Sequence, residues 1–574
     1  MAHPSRRTPA TPAQRRADRR RRLLGLLAAA LGAGYLGWTV ATLNPAAPWL
    51  AAPVAGAHAL FVGQVWLAVV NHWHRSHPAL PPPLPRGAEP PVAVVVPTSG
   101  EPVPMLRRTL CSVLDQDWPG DGLVLVVGDD AGRAAVRALV AELAAGYPAP
   151  ALHYLRPPPR GAAARRGAGK AGNLNAALDL LDAVAPAARY VEFRDADDLV
   201  GDPLFLRRVV GHLAARPELA YAQTIKDARV SPGDPFGNRH ALFYRGVLYS
   251  RDAAGAVPPC GSGLVWRRAD LRAIGGLPTW SLVEDVYSGY VAWRTGRRGT
   301  HLPVRGAVAQ IAPEDLPNVY RQRGTWALDT LRTFLWRCPL WARGLTGRQR
   351  AHLTEQAAYY LTAFPTLALI LAPAAALLLD RRAVLAPPLP YAAATAAYLA
   401  AGTLFTRSLA DRLPWRDLLR GRQVYTGLAP LFALAALRAL WYGPRRKPDC
   451  PVTRKVHRPG LYPRLVLPQA VLCALLGTAV VVHLSRHALS TLDAGALLWA
   501  CWHLWPLGRF VGRARYGWRA RFHRRDRFRW RPRLRRPPGR RARPPADPGG
   551  APCPPPAPAP RPSSARSTGS GSAG

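Results

Sequence analysis

The stretch PVAVVVPTSGEP, residues 91–102, decides the fold. Its valine-rich run is typical of a strand buried in a parallel sheet, and the Pro, Ser and Gly after it indicate a loop. The stretches LVLVVGDDAG at 123–132 and YVEFRDADDLV at 190–200 repeat this pattern and end in acidic loops. Open α/β sheets bind ligands at the carboxyl ends of their strands. We therefore predict a soluble α/β domain over about residues 90–340, with a ligand site at that edge.

Two groups of carboxylates suggest chemistry at this edge. Asp195 and Asp197 stand at alternate positions after a strand, where they can hold Mg²⁺ or Mn²⁺ together with a diphosphate, because both ions prefer oxygen ligands. A DxD triplet alone is common in surface loops, so the preceding strand and the acidic loop upstream carry this interpretation. Glu284 and Asp285 precede a predicted helix. They either cap its N-terminus or supply a general base.

Apolar segments flank the predicted domain. Residues 23–43 and 50–70 are long enough to cross a bilayer, and the arginines before them predict a cytoplasmic N-terminus. A cleaved signal peptide is the alternative, but a second apolar run follows almost at once. Apolar runs resume at 357–379, 391–410, 424–442, 465–484 and 492–507.

The third of these later runs has basic residues on both sides and contains Pro430 and Arg438. We interpret residues 411–443 as an amphipathic helix lying in the membrane interface, which leaves six spans. The predicted order is a basic cytoplasmic N-terminus (1–22), two transmembrane helices (23–71), the α/β domain (90–340), an amphipathic segment with two transmembrane helices (341–410), the interfacial helix and a basic loop (411–462), two transmembrane helices (463–508) and a basic, Pro-rich disordered cytoplasmic tail (509–574).

The composition excludes several classes of protein. Lys and Arg number 77 against 34 Asp and Glu, a formal net charge of +43, yet 49% of residues are apolar, which excludes a wholly disordered chain. The seven cysteines are dispersed and show no CxxC or Cys/His spacing, so neither a disulfide scaffold nor a structural zinc site of that kind is predicted. The Arg-rich tail with interleaved aromatics suits nucleic acid in principle. Beside a membrane span we favour anionic lipid and expect no nucleic acid.

Nine motifs, in this order, resemble the processive family 2 glycosyltransferases of the cellulose synthase type: PTSGEP, GDDAG, GKAGNLNAAL, DADD, YAQT, CGSGLVWRRADL, GGLPTWSLVEDVYSGYVAWRTGRRG, QRGTW and CPVTRK. The resemblance implies a GT-A-like (Rossmann-like) cytoplasmic catalytic domain inserted in an α-helical transmembrane region of the plasma membrane. It implies an inverting enzyme that polymerises a β-linked, cellulose-like glucan from a nucleotide sugar, with UDP-glucose expected, and translocates it. A growing polysaccharide and accessory export subunits are the partners that it adds.

The resemblance also assigns roles to residues. The base is Asp285, beside Glu284, and the metal ligands are Asp195 and Asp197. The nucleotide-sugar site comprises Thr98, Glu101, Asp129, Asp130, Lys170, Asp195 and Arg323. Cys260, Gln322 and Trp326 are assigned to the acceptor, and Val452, Thr453 and Lys455 to a gating loop. Cys260 is equally well explained as a small buried hydrophobe, and the basic loop as an ordinary membrane-surface feature.

The sequence departs from the family pattern at three places. In QxxRW, Thr325 replaces the arginine expected at the diphosphate, and Arg321 or Arg323 is the expected substitute. Leu328 and Asp329 stand where Arg and Gly are usual, and Cys450 replaces the Phe of FxVTxK. Two alternatives therefore stay open. One is a non-processive transferase that adds a single sugar to a lipid carrier, and the other is a membrane-anchored scaffold that binds anionic partners through its tail.

Overall fold

The computed structural model describes residues 10–410, 413–448, 455, 457–488 and 493–516. Within them an eight-stranded sheet has the strand order β3-β2-β1-β4-β7-β6-β8-β5. Its strands are β1 Val92–Thr98, β2 Leu123–Asp129, β3 Ala151–Leu155, β4 Tyr190–Phe193, β5 Leu199–Val200, β6 Leu219–Arg229, β7 Leu264–Arg267 and β8 Arg298–Ile311. Strands β1 to β4 are mutually parallel, β7 runs antiparallel to β4 and β6, and β8 is parallel to β6. The predicted α/β class is confirmed.

Eight helices belong to this domain: α3 Val103–Leu114, α4 Ala134–Gly146, α5 Gly169–Val184, α6 Phe205–Ala214, α7 Leu248–Ala254, α8 Arg268–Ala273, α9 Glu284–Arg294 and α10 Leu316–Trp336. Alternate residues of a strand point to opposite faces. Val94 of β1 accordingly packs in the core that includes α3 and α6, whereas Val95 packs in the core that includes α5 and α8. The sheet is therefore covered on both faces, as its continuous valine runs predicted.

The register of the sheet brings the functional loops together. Thr98 at the end of β1 pairs with Asp129 at the end of β2, and Val95 pairs with Phe193 at the end of β4. The loops that follow the three strands therefore leave the same edge of the sheet. This edge carries the predicted acidic residues.

The remaining helices are α1 Pro12–Ala41, α2 Pro48–Asn71, α11 Gly347–Leu361, α12 Ala363–Leu379, α13 Pro388–Ser408, α14 Trp415–Tyr442, α15 Leu467–Arg486 and α16 Ala494–Val511. A two-stranded sheet pairs β9 Gly460–Leu461 with β10 Arg515–Tyr516. Helix α1 begins within the basic run predicted to precede it, because Thr11 and Gln14 form a capping box. Residues 517–574, most of the predicted tail, lie outside the described residues.

Five helices of the described chain are long and apolar enough to cross a membrane: Pro12–Ala41, Pro48–Asn71, Gly347–Leu379, Trp415–Tyr442 and Pro463–Arg486. This set differs from the six predicted spans. It omits α13 and α16, which overlap two of the predicted spans, and it includes α14, which was predicted to lie in the interface. The number of spans stays a prediction.

Both ends of α14 contact the α/β domain. Near its start Asp417 forms an ion pair with Arg239 at 3.2 Å. Beyond its end the Pro444 carbonyl accepts a hydrogen bond from the Trp280 indole at 2.9 Å. A helix of 28 residues is about 42 Å long. Helix α14 therefore lies along the domain over its whole length.

Candidate active site

The acidic edge of the sheet opens into a cavity of about 1880 Å³. Its walls include Thr98, Asp130, Asp195, Asp197 and Asp285. The cavity continues between the helices outside the α/β domain, where Tyr398 of α13 and Trp499 and Trp502 of α16 also line it. A single continuous space thus joins the predicted catalytic residues to the helical region.

The loop after β1 is built around Glu101. Its carboxylate accepts hydrogen bonds from the Thr98 hydroxyl and the Ser99 backbone N–H, both at 2.7 Å. Asp130, after β2, pairs with Arg165 at 3.0 Å and accepts from Asn173 at 3.3 Å. Thr98, Glu101 and Asp130 all line the cavity. Their predicted contact with the nucleotide stays a prediction.

Asp129 differs from its neighbour Asp130. It is fully buried, and its carboxylate accepts hydrogen bonds from the backbone N–H groups of Ala131 and Arg133 at 3.2 and 2.7 Å. The Arg133 guanidinium in turn donates to the Thr98 hydroxyl at 2.9 Å. Asp129 therefore holds the loop and positions Thr98, and its predicted contact with the nucleotide stays a prediction.

The DxD carboxylates are surrounded by lysine ammonium groups. Lys170 lies 2.5 Å and Lys226 3.3 Å from oxygens of Asp195, and Lys455 lies 2.9 Å from Asp197. Burial by itself would raise the pKa of Asp195, but the three ammonium groups hold it below its usual range. Asp195 is therefore ionised at neutral pH.

Lys226 is a site residue that the sequence analysis missed. It lies on β6, is 7% exposed, donates to the Cys260 carbonyl at 3.2 Å and lies 3.5 Å from the buried carboxylate of Asp198. Burial raises the pKa of Asp198 to about 6, against the opposing effect of Lys226. The sequence did contain a signal for Lys226, namely a lysine within a strand of otherwise buried residues. A lysine is almost never fully buried unless it is paired, so a carboxylate partner could have been expected.

The residues present fit a divalent cation. Asp195 and Asp197 both line the cavity, offer hard carboxylate oxygens and already attract three cationic groups. Such oxygens are the ligands that Mg²⁺ and Mn²⁺ prefer. Backbone contacts fix both groups, since Asp195 N–H donates to the Ser262 hydroxyl at 3.1 Å and Ile311 N–H donates to Asp197 at 2.9 Å.

Glu284 and Asp285 form the first turn of α9. An ideal Cβ built on Gly261 would lie 2.5 Å from Asp285 Oδ2 and 3.2 Å from Lys170 Nζ, so both side chains press against the same glycine. Lys170 Nζ also lies 4.0 Å from Glu284. Burial raises the pKa of Asp285, and burial together with Asp285 raises the pKa of Glu284 to about 7. Lys170 thus bridges the DxD group and the predicted base.

Asp329 holds the segment that precedes the predicted base. Its carboxylate accepts hydrogen bonds from the Leu282 and Val283 N–H groups at 2.9 and 3.1 Å, and also from the Ser281 hydroxyl. Asp329 is buried on α10, where Arg332 lies 3.4 Å away. The sequence analysis noted Asp329 only as a departure from the family pattern. In the structure its carboxylate binds residues 281–283, the segment that leads to Glu284 and Asp285.

The predicted acceptor residues lie on the same cavity wall. Gln322, Arg323, Thr325 and Trp326 of α10 all line the cavity. The Arg323 guanidinium lies 4.9 Å from the centre of the Trp326 ring and donates to Asn238 at 3.0 Å. These contacts do not join Arg323 to the DxD group, so its predicted role at the diphosphate stays a prediction.

Cys260 lies at the turn that leads to Gly261. Its backbone N–H donates to Gln223 at 2.7 Å, and its thiol contacts the Pro258 carbonyl at 3.4 Å. Burial and the nearby Asp285 raise the pKa of the thiol to about 12. The thiol is therefore neutral, and it lines the cavity as a small polarisable group.

The predicted gating loop is described in part. Val452 and Thr453 lie outside the described residues, whereas Lys455 reaches Asp197. After the loop, the Arg458 N–H donates to Asp315 Oδ2 at 2.9 Å. The other oxygen of Asp315 accepts from Asn318 N–H at 2.9 Å and so caps α10. The carboxylate of Asp315 thus bonds both the segment after the loop and the start of α10, the helix that carries the predicted acceptor residues.

Comparisons with known proteins match this chain to glycosyltransferases. Residues 90–328 match the family model described as Glycosyltransferase like family 2. Cellulose synthase 1 of Komagataeibacter xylinus is 31% identical over 324 residues, which is 54% of this chain and 19% of that protein. The cellulose synthase catalytic subunit (UDP-forming) of Pseudomonas fluorescens strain SBW25 is 30% identical over 50% of this chain and 38% of that protein. The chain thus spans only a fifth to two fifths of these relatives' length.

Among solved structures, the mannosyltransferase PcManGT from Pyrobaculum calidifontis in complex with GDP-Man and Mn²⁺ is similar over 68% of this chain and 99% of that one. The identity is 22% and the TM-score 0.49.

Proposed function

We propose, from the match of residues 90–328 to the family 2 glycosyltransferases and the similarity to cellulose synthases, that the chain is a membrane-embedded, inverting polysaccharide synthase with the predicted GT-A-like fold. It extends a β-linked, cellulose-like glucan from UDP-glucose and passes the product between its own helices. The observation that carries the proposal is the meeting of Asp195, Lys170 and Asp285 around Gly261 in one cavity.

The donor site follows from the loops at the sheet edge. Thr98, Glu101 and Asp130 present hydroxyl and carboxylate oxygens to a nucleoside, and Lys170 offers its charge to the diphosphate. Asp195 and Asp197 would hold Mg²⁺ or Mn²⁺, which supplies a positive charge for the departing diphosphate. Because a divalent cation and the two charges of a nucleotide-sugar diphosphate cancel, binding them together preserves the balance between the site's aspartates and lysines.

Asp285 is the proposed general base. It removes the proton from an acceptor hydroxyl as that oxygen attacks the anomeric carbon, and burial makes its carboxylate more basic than an exposed aspartate. With a single base and no covalent intermediate, attack occurs opposite the leaving diphosphate, so an α-linked donor gives a β-glycoside. Lys170 stays close to the diphosphate throughout and stabilises its developing charge.

The acceptor site and exit path follow from the cavity. Trp326 and Gln322 of α10 offer a ring face and an amide to the terminal sugar, and they line the same cavity as Asp285. Farther along, Tyr398, Trp499 and Trp502 supply more aromatic surface between helices. An aromatic ring combines apolar surface with a polar edge or tip, which suits a sugar. A cavity continuous from the base to the helices supports polymer export over a single transfer.

The proposed membrane arrangement keeps the catalytic domain in the cytoplasm. Contacts at both ends of α14 with this domain support an interfacial rather than a spanning position for that helix. The basic termini suit anionic lipid, and accessory export subunits are further proposed partners. Lys455, at Asp197, supports a gating role for the loop after α14.

The test uses purified full-length protein in lipid nanodiscs with Mg²⁺ and radiolabelled UDP-glucose. We expect a high-molecular-weight product that a β-1,4-glucanase degrades, and none from the Asp285→Asn variant. A lipid-extractable product carrying one sugar would establish the lipid-carrier alternative instead. If UDP-glucose gave no transfer but another nucleotide sugar gave polymer, only the assignment of UDP-glucose as the donor would be refuted.

A further inference from the structure

A second cluster of chemically active side chains lies at the other end of the helices. Asp380 follows α12, and His483 and His487 lie at the end of α15. One ligand atom from each lies within 4.8 Å of the other two. Helix α12 continues from α11. The Gln349 side chain of α11 donates a hydrogen bond to the carbonyl of Gly255, which lies in the α/β domain. The 17 residues of α12 span about 25 Å along its axis before Asp380, and Asp380, His483 and His487 are not among the residues that line the cavity. This cluster is therefore separate from the catalytic cavity's DxD group.

The two histidines are arranged as a chelating pair. They are four residues apart, and their ring centres lie 4.9 Å apart with an interplanar angle of 27°. Histidines at this spacing on one helix face are a recurrent zinc-binding pattern. His487 and Asp380 are exposed, so their side chains are free to adjust. Ligands around Zn²⁺ are about 3.4 Å apart, given bonds of about 2.0–2.1 Å. Small rotations of His487 and Asp380 would close the site.

His483 is already oriented as a ligand. Its Nδ1 lies 3.2 Å from the Leu377 carbonyl, which can only accept, so Nδ1 carries the proton. Metal-binding histidines commonly donate their other N–H to a backbone carbonyl in this way. The Nε2 lone pair is then available, and among the described residues it makes no hydrogen bond although His483 is 3% exposed. Its described neighbour is Asp493 Oδ2, 3.4 Å away and outside hydrogen-bond geometry, and a cation shared by the two groups would satisfy both.

A fourth group completes the surroundings. Asp493, before α16, places Oδ2 3.4 Å from His483 Nε2. Two imidazoles with one or two carboxylates suit Zn²⁺ or a similar transition-metal ion, whereas Mg²⁺ prefers oxygen ligands alone. Arg381 and Arg486 are adjacent in sequence to the cluster and oppose a cation.

We propose that Asp380, His483 and His487 form a Zn²⁺-type metal site that fastens α12 to α15, with Asp493 bringing the start of α16 to the same ion. Helix α16 contributes Trp499 and Trp502 to the cavity wall. The ion would thus hold one wall of the proposed export path in place. An ion pair between a protonated His483 and Asp493 is the competing explanation of the same geometry.

The experiment measures metal binding and requires no glycosyl transfer. Full-length protein in nanodiscs is stripped with chelator and returned to excess Mg²⁺, which occupies any oxygen site. Zn²⁺ is then titrated in competition with a chromophoric chelator. We expect one Zn²⁺ per chain, with affinity at least about tenfold weaker in His487→Gln and in Asp380→Asn. Asn tolerates the left-handed backbone of Asp380, which has φ 50°.

Two control variants define the outcome. His153→Gln on β3 and Asp197→Ala should bind Zn²⁺ like the wild type, because neither belongs to the cluster. Cobalt(II) gives a second readout, since visible bands of the bound ion should disappear in His487→Gln. Wild-type affinity in both His487→Gln and Asp380→Asn would overturn the proposal. So would the absence of any stoichiometric Zn²⁺ in the wild type, which would favour the ion pair.

Discussion

Asp329→Asn should slow transfer without weakening donor binding. Asp329 holds Ser281, Leu282 and Val283, the three residues before Glu284. Asparagine keeps the shape and one acceptor oxygen, but its amide N–H₂ would face the N–H of Val283. A hydrogen bond to a charged group contributes roughly 1.5–3 kcal/mol. If one such bond is lost from the positioning of Asp285, the rate falls roughly 12- to 140-fold, since about 1.4 kcal/mol is tenfold.

The assay compares initial rates at saturating UDP-glucose, per folded protein, with the dissociation constant of UDP-glucose and the melting temperature. We expect a lower kcat and a nearly unchanged dissociation constant, because the Asp329 carboxylate bonds the segment before Glu284 and none of the proposed donor residues. The control is Asp179→Asn, whose exposed ion pairs with Arg166 and Arg272 should contribute little. A lower melting temperature with a wild-type kcat would show that Asp329 only stabilises the fold, and the positioning role would be refuted.

Four further outcomes are expected. Asp285→Asn should leave UDP-glucose binding near normal and slow transfer about 100- to 10,000-fold, and an equal fall in both would make Asp285 a helix cap. Gly261→Ala should abolish transfer, because the added Cβ would lie 2.5 Å from Asp285 Oδ2. The control is Gly275→Ala, which has a similar φ of 85° but open space around it and should keep its activity. Similar losses in both variants would point to backbone strain instead. Lys226→Met should lower the melting temperature by leaving Asp198 unpaired, and adding Asp198→Asn should restore part of it; no recovery would argue against the pairing. Excess chelator or Asp197→Ala should stop transfer. Wild-type rates under either condition would show that transfer does not require a metal ion at this site.

The sequence predicted those parts of the fold that depend on local pattern. Buried runs such as residues 92–96 identify strands because a strand covered on both faces needs continuous apolar residues. The polar residues that end these runs then fall at one edge of a parallel sheet. This reasoning placed Asp195 and Asp197 at the edge where the cavity opens, and the motif order indicated the family resemblance that the comparisons support.

The parts that the sequence did not predict depend on contacts between distant residues. Lys226 meets Asp195 only because β7 and β6 follow β4 in the sheet, an order that no local pattern encodes. Asp329 reaches Leu282 from a helix that begins after β8. The burial of Asp129 depends on the turn to Arg133, although its neighbour Asp130 has the same chemistry. Short-range patterns give the elements, and packing decides which side chains meet.

The double use of Asp315 links two events in the proposed cycle. A residue spans at most about 3.6 Å, so the backbone of Lys455 stays within about 11 Å of Arg458. While Arg458 holds Asp315, this tether limits how far the backbone can withdraw, and we expect Lys455 to leave Asp197 by rotating its side chain. A wider opening must detach Arg458 and remove a partner from the carboxylate that caps α10. Opening of the loop at the donor site would then weaken the N-terminal cap of α10, the helix that carries Trp326. In this way the entry of the nucleotide sugar would be coupled to movement of the polymer past Trp326.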